Sequence, residues 1–238
     1  MTRWKASTTH LLLSILVIGG IALAIFLLWY PMGLYRLAGH DRIVLIMLGI
    51  DIAAGPLLTL IVFKPGKKTL KFDLAVIALC QAAFLAWGLH TLWQTRPVFL
   101  LGQPDRFTLV FANEISPQAL RDARNPEWRK LSWTGPKLVG TRMPTDPDQR
   151  AEVMHAFMSG GPGIEYSPRW YFDYTEIAPE VARNAPPVEA GSGISRSDIE
   201  AIGLSAEHLG WHPIHSRFGE GKMLTDRRDG TPLRVANP

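Results

Sequence analysis

Long apolar segments dominate the first part of the chain, and short charged loops separate them. The segments cover residues 11–30, 43–63 and 74–93. Each matches the roughly 20 apolar residues that an α-helix needs to cross about 30 Å of hydrocarbon. The first segment is too long for the apolar core of a signal peptide, and no small-residue cleavage site follows it, so we expect an uncleaved anchor. The pattern therefore predicts three transmembrane helices.

Short apolar stretches, broken by proline and glycine, make up residues 94–238. They predict strands at 97–101, 106–112, 137–142 and 170–174, a flexible loop at 185–193 and a hairpin at 222–235. They also predict helices at 116–124 and 146–158 and a helical stretch at 195–209 in which Gly203 is a candidate break. Strands and helices that do not alternate regularly indicate a small α+β domain. The predicted fold class is a multi-pass membrane protein, with a three-helix membrane domain at 1–93 and a small α+β periplasmic domain at 94–238.

Charge is distributed unevenly between these two parts. Residues 1–93 carry eight Lys and Arg against three Asp and Glu, whereas residues 94–238 carry 17 against 18. The net charge of +4 therefore reflects short membrane-flanking loops and does not predict a nucleic-acid partner. Because positively charged loops stay in the cytoplasm, we predict a cytoplasmic N-terminus and a second part across the membrane, which in a bacterial cell is the periplasm. The basic residues that set this orientation are Arg3, Lys5, Lys64, Lys67, Lys68 and Lys71.

Asp51 lies near the middle of the second apolar segment. A charged residue at the bilayer centre costs about 2.5 to 3.5 kcal/mol on insertion scales, so it faces a protein interior, a partner or a polar cavity. We expect Asp51 to contact a partner, relay a proton or coordinate an ion, or else to hydrogen-bond Thr59 or Gln81 within the chain. Gly55 and Pro56 interrupt the same helix and free backbone polar groups beside it. Together with Asp51 they form a candidate partner-binding site.

A dense aromatic cluster lies in the second part of the chain, at Tyr166, Trp170, Tyr171, Phe172 and Tyr174. Aromatic side chains bury large areas, so such a cluster either belongs to a core or lines a peptide-binding face. On the second interpretation, Trp170 and Tyr171 are candidate partner-binding residues.

The other chemically capable residues do not assemble into a catalytic or metal site. His208 and His212 have the spacing of a zinc-binding pair on a helix, and His215 follows, but Pro213 breaks a helix there and no fixed third ligand is evident. The alternative is a histidine-bearing loop end. The sequence lacks a GxSxG nucleophile motif and a phosphate-loop motif. We therefore predict a non-enzymatic protein without metal or cofactor. The single cysteine, Cys80, excludes a disulfide within the chain.

The block from Asp51 to Leu74 contains D-x3-G-P-L-L followed by the basic turn K-P-G-K-K, and the chain starts with R-W-K-A-S from Arg3. These motifs resemble the type IV pilin accessory protein family of the TfpX/TfpZ type. Looser similarity lies at residues 94–97, 135–137 and 167–171. The resemblance covers most of residues 1–175.

The resemblance implies a non-enzymatic accessory factor or chaperone of the bacterial inner membrane that supports pilin stability and pilus assembly. The partners it implies are a type IV major pilin, through its membrane helix and periplasmic head, inner-membrane lipids and other pilus assembly proteins. Two alternatives stay open. One is a membrane-anchored regulator of pilus extension and retraction, and the other is a membrane enzyme that modifies pilin.

Overall fold

The computed structural model of the protein describes residues 2–39, 41–189 and 191–236, with the backbone alone for residues 41–48, 50 and 51. The chain forms two compact units. The first, which is helical, takes Met1–Leu28 and His40–Gln94. The second, which is built on a β-sheet, takes Trp29–Gly39 and Thr95–Pro238.

The helices of the first unit are α1 (Arg3–Trp29), α2 (Asp41–Val62) and α3 (Leu70–Gln94). Among the described residues, α1 and α3 are the two helices long and apolar enough to cross a membrane. Within the described part of α2, the apolar helix is Ile52–Val62, which is not counted as a candidate span. The prediction of three transmembrane helices is therefore wrong, because the candidate spans among the described residues are two.

A seven-stranded mixed sheet forms the second unit, in the order β4-β3-β1-β2-β5-β6-β7. The strands are β1 (Pro97–Gly102), β2 (Phe107–Phe111), β3 (Lys137–Thr141), β4 (Tyr171–Asp173), β5 (Leu209–Ser216), β6 (Gly219–Asp226) and β7 (Pro232–Val235). β1 pairs with β3 and β2 with β5 in parallel, and the other neighbours are antiparallel. The corrected fold class is two candidate membrane-spanning helices and a mixed-sheet unit.

The core of the sheet unit lies around β1 and β2. Every residue of both strands is buried, as expected for central strands that are mainly apolar rather than alternating. Phe99, Leu101, Val110 and Tyr171 belong to one cluster of buried side chains. The strands predicted at 97–101 and 106–112 are therefore confirmed, and so is the C-terminal hairpin, which β6 and β7 form.

Four helices lie between the strands: α4 (Pro117–Arg121), α5 (Pro147–Met158), α6 (Ala178–Asn184) and α7 (Arg196–Ile202). Ser116, Asp146 and Ser195 cap α4, α5 and α7, each accepting a backbone N–H with its side-chain oxygen. These caps confirm the predicted N-terminal ends of the three helices. The break expected at Gly203 in the stretch 195–209 is confirmed, because Gly203 takes a left-handed φ of 73° and ends α7. The sequence patterns did not predict α6.

The histidine-bearing loop end predicted around residue 213 is wrong, since these residues belong to β5. β5 pairs along its whole length with β6, where Pro213 lies opposite Lys222. On its other side β5 pairs with β2 through Ile214 and His215. Pro213, which has no N–H to donate, lies outside that second ladder and is therefore tolerated in the strand.

The segment between α1 and α2 packs into the sheet unit. Pro31–Leu37 forms a 3₁₀ helix in which two leucines are buried. The hydroxyl of Ser216 donates to the carbonyl oxygen of Leu37 at 2.7 Å, and Nη1 of Arg36 donates to the carbonyl oxygen of Val235 at 2.7 Å. The sheet unit therefore includes the chain that directly follows α1.

Candidate partner-binding site

A cleft of about 640 Å³ opens beside β4, an end strand of the sheet. One wall comes from β4 and the 3₁₀ turn before it, and the others come from the chain after α4 and the chain before α5. The side chains that decide its chemistry are Arg124, Trp128, Arg142, Trp170, Tyr171 and Phe172.

Tyr171 forms the floor of this cleft. It is 2% exposed, and its ring meets Phe99 edge-on at 5.2 Å and Trp128 at 6.4 Å between centroids. Its hydroxyl donates to the carbonyl oxygen of Glu165. Burial raises the pKa of Tyr171 well above its usual value, so the hydroxyl stays protonated. Tyr171 therefore positions the cleft, and little of its side chain is available to a partner.

Trp170 and Phe172 are half-buried and carry arginines on their rings. The guanidinium of Arg169 lies 4.9 Å from the Trp170 ring centroid and that of Arg124 lies 5.5 Å from it. Arg142 lies 5.4 Å from the Phe172 centroid. Cation–π contacts of this kind hold the flat faces of arginine and aromatic groups together. Tryptophan, tyrosine and arginine are also the residues most enriched at the energetic centres of protein interfaces.

Two of these arginines are fixed by carboxylates. Arg169 donates to both oxygens of Glu152, at 2.6 and 3.2 Å, and Arg142 donates to Glu180 at 2.8 Å. Arg124 has its cation–π contact with Trp170 and, among the described residues, no ion pair. Arg124 is therefore the arginine of this cleft whose charge is most available to a ligand.

β4 adds a backbone contribution to the site. It pairs with β3 through Asp173, Phe172 and Tyr171, and it is the last strand on that side of the described sheet. An end strand presents backbone N–H and C=O groups on its open side, and an extended segment of another protein can pair with them. The cleft thus combines an open strand edge with aromatic side chains.

In the helical unit, the polar side chains that meet are His10, Thr59 and Gln81, one from each helix. Nε2 of His10 lies 2.8 Å from Oε1 of Gln81, and Nδ1 lies 2.7 Å from Oγ1 of Thr59. Because an amide oxygen accepts only, Nε2 donates to it, and in the neutral ring Nδ1 accepts from the threonine hydroxyl. The sequence analysis considered Thr59 and Gln81 as partners of Asp51 and did not single out His10.

Gly55 and Pro56 lie beside this group. A Cβ added at Gly55 would overlap the amide group of Gln81, so a larger residue there would require the Gln81 side chain to move. The carbonyl oxygen of Pro56 accepts the hydroxyl of Ser7 at 2.9 Å. The side chain of Asp51 lies outside the described residues. The structure therefore gives Gly55 and Pro56 contacts within the chain, and the role of Asp51 stays a prediction.

The basic residues predicted to set the membrane orientation are all exposed: Arg3, Lys5, Lys64, Lys67, Lys68 and Lys71. Lys67 forms an ion pair with Asp73 at 2.7 Å, which offsets part of the positive charge of the turn between α2 and α3. The orientation they indicate stays a prediction.

The three histidines singled out by the sequence do not converge. His212 is 1% exposed and bonds the carbonyl oxygen of Val181 at 3.0 Å, whereas His215 pairs with Glu220 at 3.2 Å. His208 precedes β5 and lies 3.8 Å from Glu207. In the part of the chain that the structure describes, no three His, Cys, Asp or Glu side chains are grouped to hold a metal ion.

The helix α1 is long and apolar enough to cross a membrane, and the residues of the aromatic cleft suit contact with another protein. A family model described as fimbrial assembly protein FimB matches residues 1–39. The fimbrial assembly proteins of serogroups I and E1 of Dichelobacter nodosus are each 29% identical to the chain over 191 residues, covering 77% of this chain and 72% of theirs.

The fimbrial assembly protein of serogroups C1 and C2 of Dichelobacter nodosus is 30% identical over 113 residues, covering 47% of this chain and 86% of its own length. The chain belongs to the fimbrial assembly protein family. This membership confirms the resemblance to a pilus assembly accessory family that the sequence motifs indicated. No solved structure matches the chain.

Proposed function

We propose that this chain is an accessory factor in the assembly of a type IV pilus and that it acts by binding the major pilin rather than by catalysis. Its relatives are named fimbrial assembly proteins, and this supports a role in pilus assembly. One observation carries the binding role: arginines stack on Trp170 and Phe172 in a cleft beside an end strand.

The cleft favours an extended segment of the pilin head as its ligand. Such a segment pairs with the open edge of β4 and places alternate side chains into the cleft, where Trp170 gives an apolar surface and Arg124 a free charge. Tyr171 supports this surface from below. Backbone pairing supplies affinity, and the aromatic pocket supplies selectivity among pilins.

We further propose that α1 anchors the protein in the inner membrane and that the sheet unit lies in the periplasm. Arg3 and Lys5 in the first turn of α1 favour a cytoplasmic N-terminus. Trp29–Gly39, which begins with the last residue of α1, belongs to the same compact unit as the sheet. A crossing by α1 therefore carries the sheet unit to the face of the membrane where a pilin head is exposed.

A second contact in the membrane makes the cleft more effective. The helical unit meets the apolar helix of a membrane-bound pilin while the sheet unit meets its head, so two weak contacts act at high effective concentration. Asp51 is the candidate for this second contact, whereas Gly55 and Pro56 serve to place Gln81 and Ser7.

The test is co-purification of the full-length protein with the pilin expressed in the same cells. Trp170→Ala removes the stacking surface, and loss of an interface hot spot worth about 2 kcal/mol lowers affinity roughly 30-fold. We expect a large loss of recovered pilin. Phe157→Ala is the matched control, because Phe157 is 63% exposed on α5 and is not one of the residues that line the cleft.

Equal pilin recovery by both variants, at equal expression, would remove the cleft from the proposal. A change in pilin mass that depends on this chain would instead favour a pilin-modifying enzyme. A normal pilin level and mass with altered retraction would favour the regulator.

A further inference from the structure

A second cavity in the sheet unit, of about 510 Å³, shares no lining residue with the cleft beside β4. Its walls are α6, the short turn before β5 and the turn between β6 and β7. This volume lies within the roughly 300 to 1,000 Å³ of pockets that hold small molecules. Most of its lining is charged, and the two apolar residues, Pro179 and Ala182, are small. The cavity therefore suits a hydrophilic ligand.

Close contacts between the three walls fix the shape of this cavity. The backbone N–H of Arg227 donates to the carbonyl oxygen of His208 at 2.8 Å, which joins the β6–β7 turn to the turn before β5. In the same β6–β7 turn, Gly230 packs so closely on Ala178, the first residue of α6, that an added Cβ would overlap the Ala178 carbonyl oxygen. The walls are therefore in place before a ligand binds, which lowers the entropic cost of binding.

Three arginines line the cavity, Arg183 on α6 and Arg227 and Arg228 in the β6–β7 turn. Arg228 is occupied, because its Nε and Nη2 donate to the two oxygens of Asp226 at 3.0 and 2.5 Å. Arg227 donates a long hydrogen bond of 3.3 Å from Nη1 to the carbonyl oxygen of Glu207. Within the described residues, neither Arg183 nor Arg227 has a carboxylate partner. Two guanidinium groups are therefore available to a ligand.

Nearby carboxylates do not cancel the positive charge of the lining. Asp226 is 5% exposed and pairs with Arg228. Glu207 lines the cavity, but its side chain is 77% exposed. Asp229, in the same turn as Arg228, accepts a backbone N–H at 2.8 Å and does not line the cavity. The lining thus carries three arginines against one glutamate and attracts an anion.

The placement of the donors favours a phosphate group over a carboxylate. A guanidinium presents its N–H donors as a planar fork, which can hold both oxygens of one carboxylate. Here Arg183 and Arg227 come from different walls, and His208, on the third wall, adds an imidazole that carries at least one N–H donor. A tetrahedral phosphate directs three strong acceptor oxygens to different sides. Donors on three walls therefore match a phosphate better.

We propose that this cavity binds the phosphate group of a small hydrophilic ligand, with Arg183 and Arg227 as its charge partners and His208 beside them. A soluble phosphate ester and the headgroup of a phospholipid both carry this group, and the experiment below separates the two sources. The proposal goes beyond pilin binding and uses none of the residues of the cleft, so either proposal can fail without the other.

The experiment titrates the full-length protein in a non-ionic detergent with glycerol phosphate, followed by calorimetry. Arg183→Gln and Arg227→Gln each remove one guanidinium group. Arg196→Gln is the matched control, because it makes the same change of charge at an exposed arginine of α7 that does not line the cavity. In a second arm, native mass spectrometry measures the binding of phosphatidylglycerol to the same variants. Acetate replaces glycerol phosphate in a third titration.

We expect Arg183→Gln and Arg227→Gln each to weaken the binding of glycerol phosphate about tenfold, because each removes a charged hydrogen-bond donor. Arg196→Gln should bind as the parent does. A loss in the two cavity variants that is confined to phosphatidylglycerol would also support the site and would assign the phosphate to a lipid headgroup.

Three results would overturn the proposal. The first is the absence of binding in both the soluble and the lipid arm. The second is an equal loss in all three variants, since the general surface charge would then explain binding. The third is acetate binding as tight as that of glycerol phosphate, because the cavity would then be a carboxylate site. Melting curves that match the parent establish that the variants fold, and pilin is absent from every titration.

Discussion

Arg36 and Asp198 form an ion pair at 3.8 Å that joins the segment after α1 to α7 of the sheet unit. Asp198 is 2% exposed, and Arg234 approaches the same carboxylate oxygen at 3.7 Å. The hydroxyl of Ser195 donates to the other oxygen at 2.7 Å. A carboxylate buried this deeply is tolerated because cations and hydrogen-bond donors surround it. The pair therefore fastens the chain that leaves α1 onto the sheet.

Removing Arg36 should destabilise the sheet unit. We expect Arg36→Met to lower its free energy of unfolding by about 2 kcal/mol, somewhat less than loss of a sole partner, because Arg234 stays near Asp198. Denaturant unfolding of the full chain in detergent measures the change. Arg106→Met is the control, since its pair with Asp105 has side chains 49% and 62% exposed and should contribute less than about 1 kcal/mol. Equal destabilisation by the two variants would contradict a special role for Arg36.

Gly55 and Gly49 lie on the same helix and offer a matched pair of substitutions. A Cβ at Gly55 would overlap the Gln81 amide, whereas one at Gly49 meets no described atom within 4 Å. We expect Gly55→Ala to push Gln81 away from His10 and to cost about 1 to 3 kcal/mol, as overpacking does. Gly49→Ala should be neutral or slightly stabilising, because alanine is the better helix former. Thermal unfolding followed by helical circular dichroism distinguishes them, and a similar loss in both would show that the Gln81 contact does not matter.

Asp226 makes the stability of the sheet unit depend on pH. Nε of Arg228 donates to its Oδ1 at 3.0 Å and Nη2 to its Oδ2 at 2.5 Å, and these hydrogen bonds lower the pKa of Asp226. Because the folded pKa is below the unfolded value of about 3.9, the stability that this carboxylate contributes is present above that value and is lost as pH falls through the folded pKa. We expect Arg228→Gln to raise the pH at which acid unfolds the protein.

An acid titration followed by tryptophan fluorescence measures that midpoint. Arg227→Gln serves as the control, because Arg227 is the exposed neighbour and its hydrogen bond to the carbonyl oxygen of Glu207 is long, at 3.3 Å. The prediction fails if the two variants unfold at the same pH.

Local signals in the sequence predicted much of the sheet unit. Ser116, Asp146 and Ser195 are capping residues followed by helix formers, and such signals act within a few residues of the helix they start. Continuous apolar stretches likewise predicted β1 and β2. β5 was missed because Pro213 and the neighbouring histidines are typical of a loop, while their place in the strand depends on β6, which comes later in the chain.

Long-range partners explain the other failures. No local pattern shows that the segment around Arg36 packs against Val235 and Asp198. In α2, apolar length alone predicted a span, whereas the two candidate spans among the described residues are α1 and α3. His10 was overlooked because an isolated histidine near an apolar segment gives no sign that Thr59 and Gln81 meet it. These contacts form only when distant parts of the chain come together.

The aromatic cluster illustrates how far a sequence can define the candidate site. Its residues suit either a core or a peptide-binding face, and the structure divides them: Tyr171 and Tyr174 are 2% and 8% exposed, while Trp170 and Phe172 line the cleft. Within β4, Tyr171 and Phe172 are neighbours whose side chains point to opposite faces, whereas Trp170 and Tyr174 lie in the 3₁₀ turns on either side of the strand. The arginines that complete the cleft come from other segments of the chain, so the aromatic pattern could not predict them.

Arg124 provides the last prediction, which concerns pilin binding. Its guanidinium lies 5.5 Å from the Trp170 ring, and its charge is the one in the cleft that pairs with no carboxylate among the described residues. We expect Arg124→Ala to weaken pilin binding by about 1 kcal/mol, or roughly fivefold, because a cation–π contact and a ligand charge partner are both lost. Arg121→Ala should leave affinity unchanged, since Arg121 bonds Gln118 on α4 and does not line the cleft.

Titration calorimetry with the full chain in detergent and purified pilin measures both affinities. The double variant of Arg124→Ala and Trp170→Ala should lose less than the sum of the single losses, because the two side chains stack on each other and form one binding surface. Additive losses would show that they bind independently. An unchanged affinity in Arg124→Ala would assign the selectivity of the cleft to its aromatic groups and the edge of β4 alone.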